Sequence, residues 1–199
     1  MVHTVDGRSR MTLAEVAQIG YFRQDLLPSN VQPELSVVRH YVPHGRMFIP
    51  TNGMQASYVE VDPDTGSIRL LRHFVVHDGG TMINPMLVEE QIRGGVVQGV
   101  GAALYEEITY GDEGELTTGT MGDYLLPMAF EMPDIEIGHV SVPLSGTALG
   151  AKGVGEAGTA VASAAVLNAV NDALAPLDGH LTQPPMSPER VLRALGKID

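Results

Sequence analysis

The 199-residue sequence contains no cysteine. A chain without thiols forms no disulfide, holds neither zinc nor an iron–sulfur cluster through thiolates, and has no cysteine nucleophile. Redox centres that need thiolate ligands must therefore come from another chain. Tryptophan is also absent, and aromatic residues make up only 5% of the sequence, so few side chains can stack on a planar ligand.

Basic residues are scarce. Twelve Lys and Arg residues against 24 Asp and Glu residues give a formal net charge of -12, which argues against nucleic acid or an anionic membrane surface as the main partner. No apolar run reaches the ~18 residues of a membrane span, and the first ten residues lack the apolar segment of a signal peptide. We therefore expect a cytoplasmic protein.

Glycine and proline are abundant, with 23 and 13 residues. A capping box at Thr12 and Glu15 predicts a helix to about Tyr21, and a proline-rich, extended segment follows at 27–55. Other elements are predicted in mixed order, without regular βαβ alternation, which predicts an α+β fold with a mixed sheet and packed helices. The predicted strands are a hairpin at 57–62 and 67–78, short strands at 116–118 and 124–126, and a longer strand at 135–142.

Three further helices are predicted. Asn84 and Pro85 suit the cap and first position of a helix to about residue 107. The Ala/Val/Leu-rich segment 160–174 predicts a helix that is buried on most sides. A last short helix begins at Ser187 and ends near Leu195.

The helix after Asn84 has an unusual composition, because each glycine in a helix interior costs up to ~1 kcal/mol relative to alanine. Helical spacing places on one side a stripe of small and amide side chains: Gln91, Gly94, Gly95, Gln98 and Ala102. A neighbouring stripe is apolar: Ile92, Val96, Val100 and Ala103. Composition favours close packing of the helix on the sheet, and a ligand-facing surface is the alternative.

The segment GAKGVGEAG at 150–158 has four glycines in nine residues. Glycines let the backbone approach a ligand closely, and amides at the start of the next helix can bind anionic oxygens. The segment therefore predicts a cradle for a phosphate-bearing or oxygen-rich cofactor. Its end, GVGEAG, matches the dinucleotide fingerprint, but no strand directly precedes it and a carboxylate there would repel a pyrophosphate. A free-standing nucleotide-binding domain is thus disfavoured.

Two charged residues of this segment each have two interpretations. Glu156 on a rigid loop shielded from water would have a raised pKa and could act as a general base. Alternatively, it is an acidic residue at a helix start, stabilised by ~0.3–1 kcal/mol. Lys152 either contacts an anionic ligand or is exposed on a loop.

No metal site is predicted from the histidines. His73 and His77 share a strand face but lie roughly 13 Å apart, too far for one ion. His40 and His44 flank a proline without a third ligand nearby. Packing or surface roles are expected for all of them, and no G-x-S-x-G motif indicates a serine nucleophile.

Four segments, taken in order, resemble the large subunits of the molybdenum hydroxylases, the xanthine dehydrogenase, aldehyde oxidase and carbon monoxide dehydrogenase family. They are the hairpin, INP helix start and Q-x-x-GG-x-x-QG-x-G helix of 61–110, the run DEGELTTGTMGDYLLPMAFEMPDIEI (112–137), the loop and helix of 150–174, and SPERVLRAL (187–195). The resemblance extends from about Thr12 to Leu195 and is closest to the bacterial carbon monoxide dehydrogenase-like branch.

This resemblance implies a molybdopterin-binding domain, with the cofactor as molybdopterin or its cytosine dinucleotide. It implies that Glu156 is the base that activates a water-derived oxygen. The residues implied to hydrogen-bond the pterin are Gln91, Gln98, Gly150, Ala151, Lys152, Gly153, Val154 and Gly155. Iron–sulfur centres and FAD are expected only on partner chains, in a hetero-oligomer, which agrees with the absence of cysteine.

The resemblance covers only roughly the last quarter of such a subunit. The loops that form the other wall of the molybdenum pocket are absent, and HDGG at 77–80 stands where many relatives have an Asp-Asp-Cys-Gly-like turn. The sequence is therefore predicted to be a single C-terminal domain portion, with a tail at 1–11, a helix and extended segment at 12–56 and a core at 57–199. We expect activity only with the missing part of the subunit, on an aldehyde, an N-heterocycle or carbon monoxide. A non-catalytic assembly or binding module with the same fold is the alternative.

Overall fold

The computed structural model describes residues 2–3, 6–7, 10–42 and 49–199; His44 lies outside them. The chain forms two compact units, Met1–Val42 and Pro43–Asp199. The first contains an antiparallel pair of short strands, β1 (Val2–His3) and β2 (Arg10–Met11), and helix α1 (Leu13–Phe22).

The capping box predicted for α1 is confirmed. The Thr12 hydroxyl accepts a hydrogen bond from the Glu15 amide at 3.1 Å, and the Glu15 carboxylate accepts one from the Thr12 amide at 2.7 Å. A short 3-10 turn, Gln24–Leu26, follows α1, and residues 27–42 form no helix or strand, as the prolines predict.

The second unit is built on a three-stranded sheet in the order β3 (Asn52–Val61), β4 (Ile68–Asp78) and β5 (Ile135–His139). The hairpin of β3 and β4 is antiparallel, as predicted, and β5 lies parallel to β4. Parallel neighbours need a long crossover, which here contains a helix. The predicted mixed sheet and α+β fold are confirmed, although β3 begins before residue 57 and β5 ends before residue 142.

A β-bulge interrupts the alternation of side chains along β4. Tyr58 pairs with Arg72 and Val59 pairs with Leu70, so Leu71 has no partner on β3. The extra residue shifts the inward-facing set by one position. Leu70 and His73 are consequently both buried on the face that packs against the helices.

Two long helices complete the core. Helix α2 (Pro85–Leu104) is capped by the Asn84 side chain, as predicted, and buries the apolar stripe anticipated from its sequence. Helix α3 (Thr159–Leu174) packs against β3 and α2 through four buried residues: Ala162, Val166, Val170 and Leu174. The prediction that this helix is buried on most sides is wrong, since Val161 is 41% exposed. Only the stripe toward β3 and α2 is covered.

The helical stretch Thr159–Leu177 is long and apolar enough to cross a membrane, by length and composition alone. This differs from the expectation that no apolar run of the sequence reaches the length of a membrane span. Its apolar stripe is buried against β3 and α2, and the Ser163 hydroxyl donates to the carbonyl of Gly99 on α2 at 2.8 Å. These contacts are those of a core helix.

The end of the chain forms helix α4 (Pro188–Ala194), whose Ser187 cap is confirmed. The short strands predicted at 116–118 and 124–126 are wrong. Leu116 makes only an isolated bridge with Tyr110, and residues 124–126 are irregular. The Thr117 amide and hydroxyl both donate to the Thr109 carbonyl, and the Gly111 amide donates to the Glu115 carbonyl. The pairing around the turn at 111–114 is therefore limited to a single bridge and forms no strand.

Candidate functional site

The first part of the glycine loop, residues 150–158, pairs with the turn that follows β4. Gly150 has φ of 71°, a left-handed conformation that favours glycine. Its carbonyl accepts a hydrogen bond from the Thr81 amide at 3.0 Å, and the Lys152 amide donates to the Gly79 carbonyl at 2.9 Å. The backbone of the loop is thereby attached to the end of the central strand.

A buried ion pair strengthens this attachment. Lys152 Nζ lies 2.6 Å from Asp78 Oδ2, and the two side chains are only 7% and 9% exposed. The Lys152 ammonium, together with the Gly80 and Val142 amides that donate to Oδ1, lowers the pKa of Asp78 to about 2. The interpretation of Lys152 as an exposed loop residue is wrong. Its ammonium holds the loop, and a contact with a cofactor stays a prediction.

Ala151 and Val154 lie on the same turn. Ala151 forms an antiparallel bridge with Gly80. Val154 covers Gly79 so closely that a Cβ atom there would lie 2.9 Å from its Cγ1. Both residues therefore pack the loop on the HDGG turn.

The amide side chains of α2 also reach this region. Gln91 Nε2 donates to the Gly155 carbonyl at 3.2 Å, so this predicted site residue contacts the loop directly. Gln98 lies further along the helix, where its Oε1 accepts from the Thr159 hydroxyl at 2.9 Å. The structure thus places Gln98 at the start of α3 rather than against the loop itself.

The glycines of α2 allow close packing against α3, not against the sheet as predicted. A Cβ atom at Gly95 would lie 2.9 Å from Gly158 Cα, and one at Gly99 would lie 2.5 Å from Ala162 Cβ. The packing differs from the prediction because α3 lies against both β3 and α2, so that α2 meets α3 at these glycines. Gly94, in contrast, has no atom within 4 Å of a Cβ position.

The middle of the loop is open. A Cβ atom at Gly153 or at Gly155 would meet nothing within 4 Å. The backbone N–H groups of residues 153–156 donate to no acceptor in the part of the chain that the structure describes. Successive free amides on a concave loop bind anionic or carbonyl oxygens, so this part of the loop can hold an oxygen-rich ligand.

Glu156 lies beside these free amides. It is exposed, and its carboxylate makes no hydrogen bond or ion pair with the described residues. The described residues therefore do not provide the shielding from water that was expected for this carboxylate. Glu156 lies three residues before Thr159, the first residue of α3, and its carbonyl accepts a hydrogen bond from the Ala160 amide at 3.0 Å. The interpretation of Glu156 as an acidic residue at a helix start therefore stays open beside that of a base.

The contact that holds the end of the loop was not predicted from the sequence. Gln55 Nε2 donates to the carbonyls of Ala157 and Gly158, at 2.9 Å each. Gln55 Oε1 lies 3.0 Å from Nε2 of the buried His73, whose pKa is lowered to about 4 by burial. The sequence did contain a signal for this contact, because Gln55 and Ser57 are polar residues at alternate, inward-facing positions of the hairpin.

Other features of the second unit lie apart from the loop. A cavity of about 1010 Å³ is lined by parts of β4, the segment after α2 and the residues before α4, and includes none of the predicted site residues. Among the described ranges, no group of three or more side chains is arranged to hold a metal ion. The candidate site is therefore the open surface formed by the loop and α2.

The chain is similar to known proteins over most of its length. Residues 1–133 match the family described as "Molybdopterin cofactor-binding domain". The chain is 43% identical over 192 residues, 96% of its length, to the nicotine 6-hydroxylase large subunit of Paenarthrobacter nicotinovorans, and 34% identical over 87% of its length to the carbon monoxide dehydrogenase large chain of Afipia carboxidovorans. It superposes on quinoline 2-oxidoreductase from Pseudomonas putida 86 with a TM-score of 0.77, at 42% identity and over 94% of the chain.

The matches cover only 23%, 21% and 24% of those three proteins. The glycine loop lies beyond the family match at 1–133 but within the length shared with the first relative. The chain therefore belongs to the molybdopterin cofactor-binding domain family, among relatives of the xanthine dehydrogenase and aldehyde oxidase type, as its sequence predicted.

Proposed function

We propose that this chain is the C-terminal portion of the large subunit of a molybdenum hydroxylase. In this proposal it supplies the catalytic base and part of the pterin site to an enzyme that oxidises an aldehyde, an N-heterocycle or carbon monoxide with water-derived oxygen. The names of the relatives, a nicotine hydroxylase, a carbon monoxide dehydrogenase and a quinoline oxidoreductase, support this reaction class. Since the chain spans less than a quarter of those proteins, we expect activity only with the remainder of the subunit.

The observation that carries the proposal is the open loop with free amides beside an exposed carboxylate. Molybdopterin, alone or as its cytosine dinucleotide, presents phosphate oxygens and a polar pterin ring. The free N–H groups of 153–156 suit the uncharged oxygen of the pterin ring, which the neighbouring Glu156 carboxylate repels less than it would a phosphate. The absence of side-chain bulk at Gly153 and Gly155 permits close approach. When bound, the cofactor supplies the metal that accepts electrons from the substrate.

The chain's own contribution to the chemistry is the handling of one proton. An oxygen of the Glu156 carboxylate takes the proton of the water-derived hydroxyl that attacks the substrate. The ion pair of Lys152 with Asp78 and the hydrogen bond of Gln91 to the loop hold the backbone that carries this carboxylate. Glu156 is exposed here, so the remainder of the subunit must exclude water from it.

The remaining partners in the proposal are electron carriers. The electrons taken from the substrate must leave through redox centres. This chain has no cysteine and cannot ligate such centres with thiolates, so we expect them on other chains. We place iron–sulfur and flavin subunits in the same cytoplasmic assembly.

Metal analysis tests the binding role. The chain should contain no molybdenum when purified alone, since part of the pocket is missing, and about one molybdenum per chain when co-purified with the rest of the subunit. Tight molybdenum binding by the lone chain would contradict the shared site. A complete complex without molybdenum would favour the assembly-module alternative.

Substitution of Glu156 tests the catalytic role. In the assembled enzyme, Glu156→Gln should lower kcat by about 10²- to 10⁴-fold, because a general base is lost, with molybdenum content unchanged. Glu113→Gln, in an exposed polar turn, is the matched control and should leave both quantities unchanged. Near-normal turnover of Glu156→Gln would remove Glu156 from the reaction.

A further inference from the structure

Three polar side chains form a connected line across the inner face of the sheet toward the end of the glycine loop. Ser57 Oγ lies 3.0 Å from His73 Nδ1, and His73 Nε2 lies 3.0 Å from Gln55 Oε1. Gln55 Nε2 then reaches the carbonyl oxygens of Ala157 and Gly158. His73 is fully buried, so the line is enclosed by the fold at its centre.

The chemistry of the end groups determines the direction of every hydrogen bond in this line. The loop carbonyls only accept, so the Gln55 amide nitrogen faces them and its oxygen faces His73. The imidazole must then donate from Nε2 and accept at Nδ1 from the Ser57 hydroxyl. Burial keeps the pKa of His73 near 4, and the neutral tautomer that this pattern needs is the form present at neutral pH.

The two carbonyls that Gln55 binds belong to the residues directly after Glu156. The Glu156 side chain has no hydrogen bond among the described residues, so these residues act on it only through the backbone that carries it. On one side of Glu156, Gln91 binds the carbonyl of Gly155; on the other, Gln55 binds two carbonyls with one planar amide. The backbone that carries the carboxylate is thus held between a contact from α2 and a contact from the sheet.

We propose that Gln55, oriented by His73 and Ser57, is a positioning residue that fixes the place of the backbone that carries Glu156. The inference rests on the proposed role of Glu156 as the base. It assigns a function to polar residues that occupy the inner face of the sheet, where apolar residues would pack without needing hydrogen-bond partners.

A double-mutant cycle in the assembled enzyme is the first test. Gln55→Met keeps the length of the side chain but removes both loop hydrogen bonds. We expect kcat to fall about 10- to 100-fold, the scale of a misplacement near 1 Å, with KM and molybdenum content unchanged. In a Glu156→Gln background the same substitution should change the residual single-turnover rate little, because the group it positions is already absent.

Amide hydrogen exchange of the same assembly gives a readout that does not depend on turnover. Gln55→Met should accelerate exchange of the Ala157 and Ala160 amides, which donate to the carbonyls of Val154 and Glu156, because this segment opens more often once Gln55 no longer holds it. Exchange at the Lys152 amide, which the Gly79 carbonyl holds, should not change.

Variants of His73 separate positioning from mere packing. His73→Gln retains an N–H donor for Gln55 Oε1, whereas His73→Leu does not, so the leucine variant should have the lower kcat and the faster loop exchange. This pair also carries the test if Gln55→Met fails to assemble. Ser163→Ala is the matched structural control, since it removes a comparable hydrogen bond between α3 and α2, and it should lower stability without changing kcat.

Two results would overturn the inference while leaving the base intact. One is a wild-type kcat and loop exchange in Gln55→Met or, if that variant does not assemble, in both His73 variants. The other is an equal loss of rate from Gln55→Met with and without Glu156. Near-normal turnover of Glu156→Gln alone would instead refute the proposed function.

Discussion

Helix α2 and the loop at 150–158 contain four glycines each, and the space around those glycines differs sharply. At Gly95 and Gly99 of α2 an added Cβ atom would lie within 3 Å of atoms of Gly158 and Ala162. At Gly153 of the loop it would meet nothing within 4 Å. In one region the missing side chain lets two helices touch, and in the other it leaves room that the protein itself does not fill.

Gly158 belongs to the loop by sequence but to the packed region by contact. A Cβ atom at Gly158 would lie 2.2 Å from the Ile92 carbonyl oxygen and 2.7 Å from the Val96 nitrogen. Because these are backbone atoms of α2, no side-chain rotation can relieve the clash. Gly158→Ala should therefore give the largest loss, about 3 kcal/mol of the free energy of unfolding, at the upper end of overpacking costs. Denaturant titration measures it, and a change below 1 kcal/mol would show that the helices are not in such close contact.

Gly99→Ala should have the next largest effect. The new Cβ atom would lie 2.5 Å from Ala162 Cβ, and the resulting strain outweighs the better helix propensity of alanine. We expect a loss of about 1–2 kcal/mol. Adding Ala162→Gly should restore much of it, since the clash disappears, and strict additivity in this cycle would contradict direct contact.

Gly94→Ala is a contrasting substitution on the same helix. The position is exposed and has no atom within 4 Å of a Cβ position. Only the helix propensity changes, so the free energy of unfolding should rise by about 0.5–1 kcal/mol. A destabilised Gly94→Ala protein would indicate that the whole glycine stripe, and not only Gly95 and Gly99, lies against another element.

Gly153→Ala should have the smallest effect on stability, within about 0.5 kcal/mol, because the added methyl group meets open space. In the assembled enzyme it should nevertheless lower the molybdenum content, since the methyl group occupies the room proposed for the cofactor. Gly146→Ala serves as the control, because its Cβ atom would also meet nothing within 4 Å and it lies outside the predicted site residues. Full molybdenum content in Gly153→Ala would place the cofactor away from this part of the loop.

Elements whose signals act between near neighbours were predicted well. Thr12, Asn84 and Ser187 cap α1, α2 and α4 as expected, because an N-cap needs only a side-chain oxygen and an amide two or three residues away. The prediction of strands at 116–118 and 124–126 was wrong, because a strand needs a partner strand to pair with and the local pattern of residues does not specify one. The bulge in β4 likewise depends on its pairing with β3.

The site divides in the same way. Residues 150–158 were identified from their glycines, and the role implied for Glu156 came from the family resemblance, which the family match supports at the level of the domain. Lys152 was assigned to the site, but its partner Asp78 lies 74 residues away and was not anticipated. Gln55 was missed for the same reason, since the carbonyl it binds is 102 residues distant.

The sequence by itself determined the helix starts, the hairpin, the absence of thiolate ligands and the presence of a glycine-rich loop that carries a carboxylate. Those features depend on residue type and on neighbours a few positions away. Only the tertiary structure decided that α2 packs on α3, that a buried ion pair anchors the start of the loop and that the sheet holds its end. Such contacts depend on which distant surfaces meet in the folded core, where buried polar groups must find partners and glycines leave room for close approach.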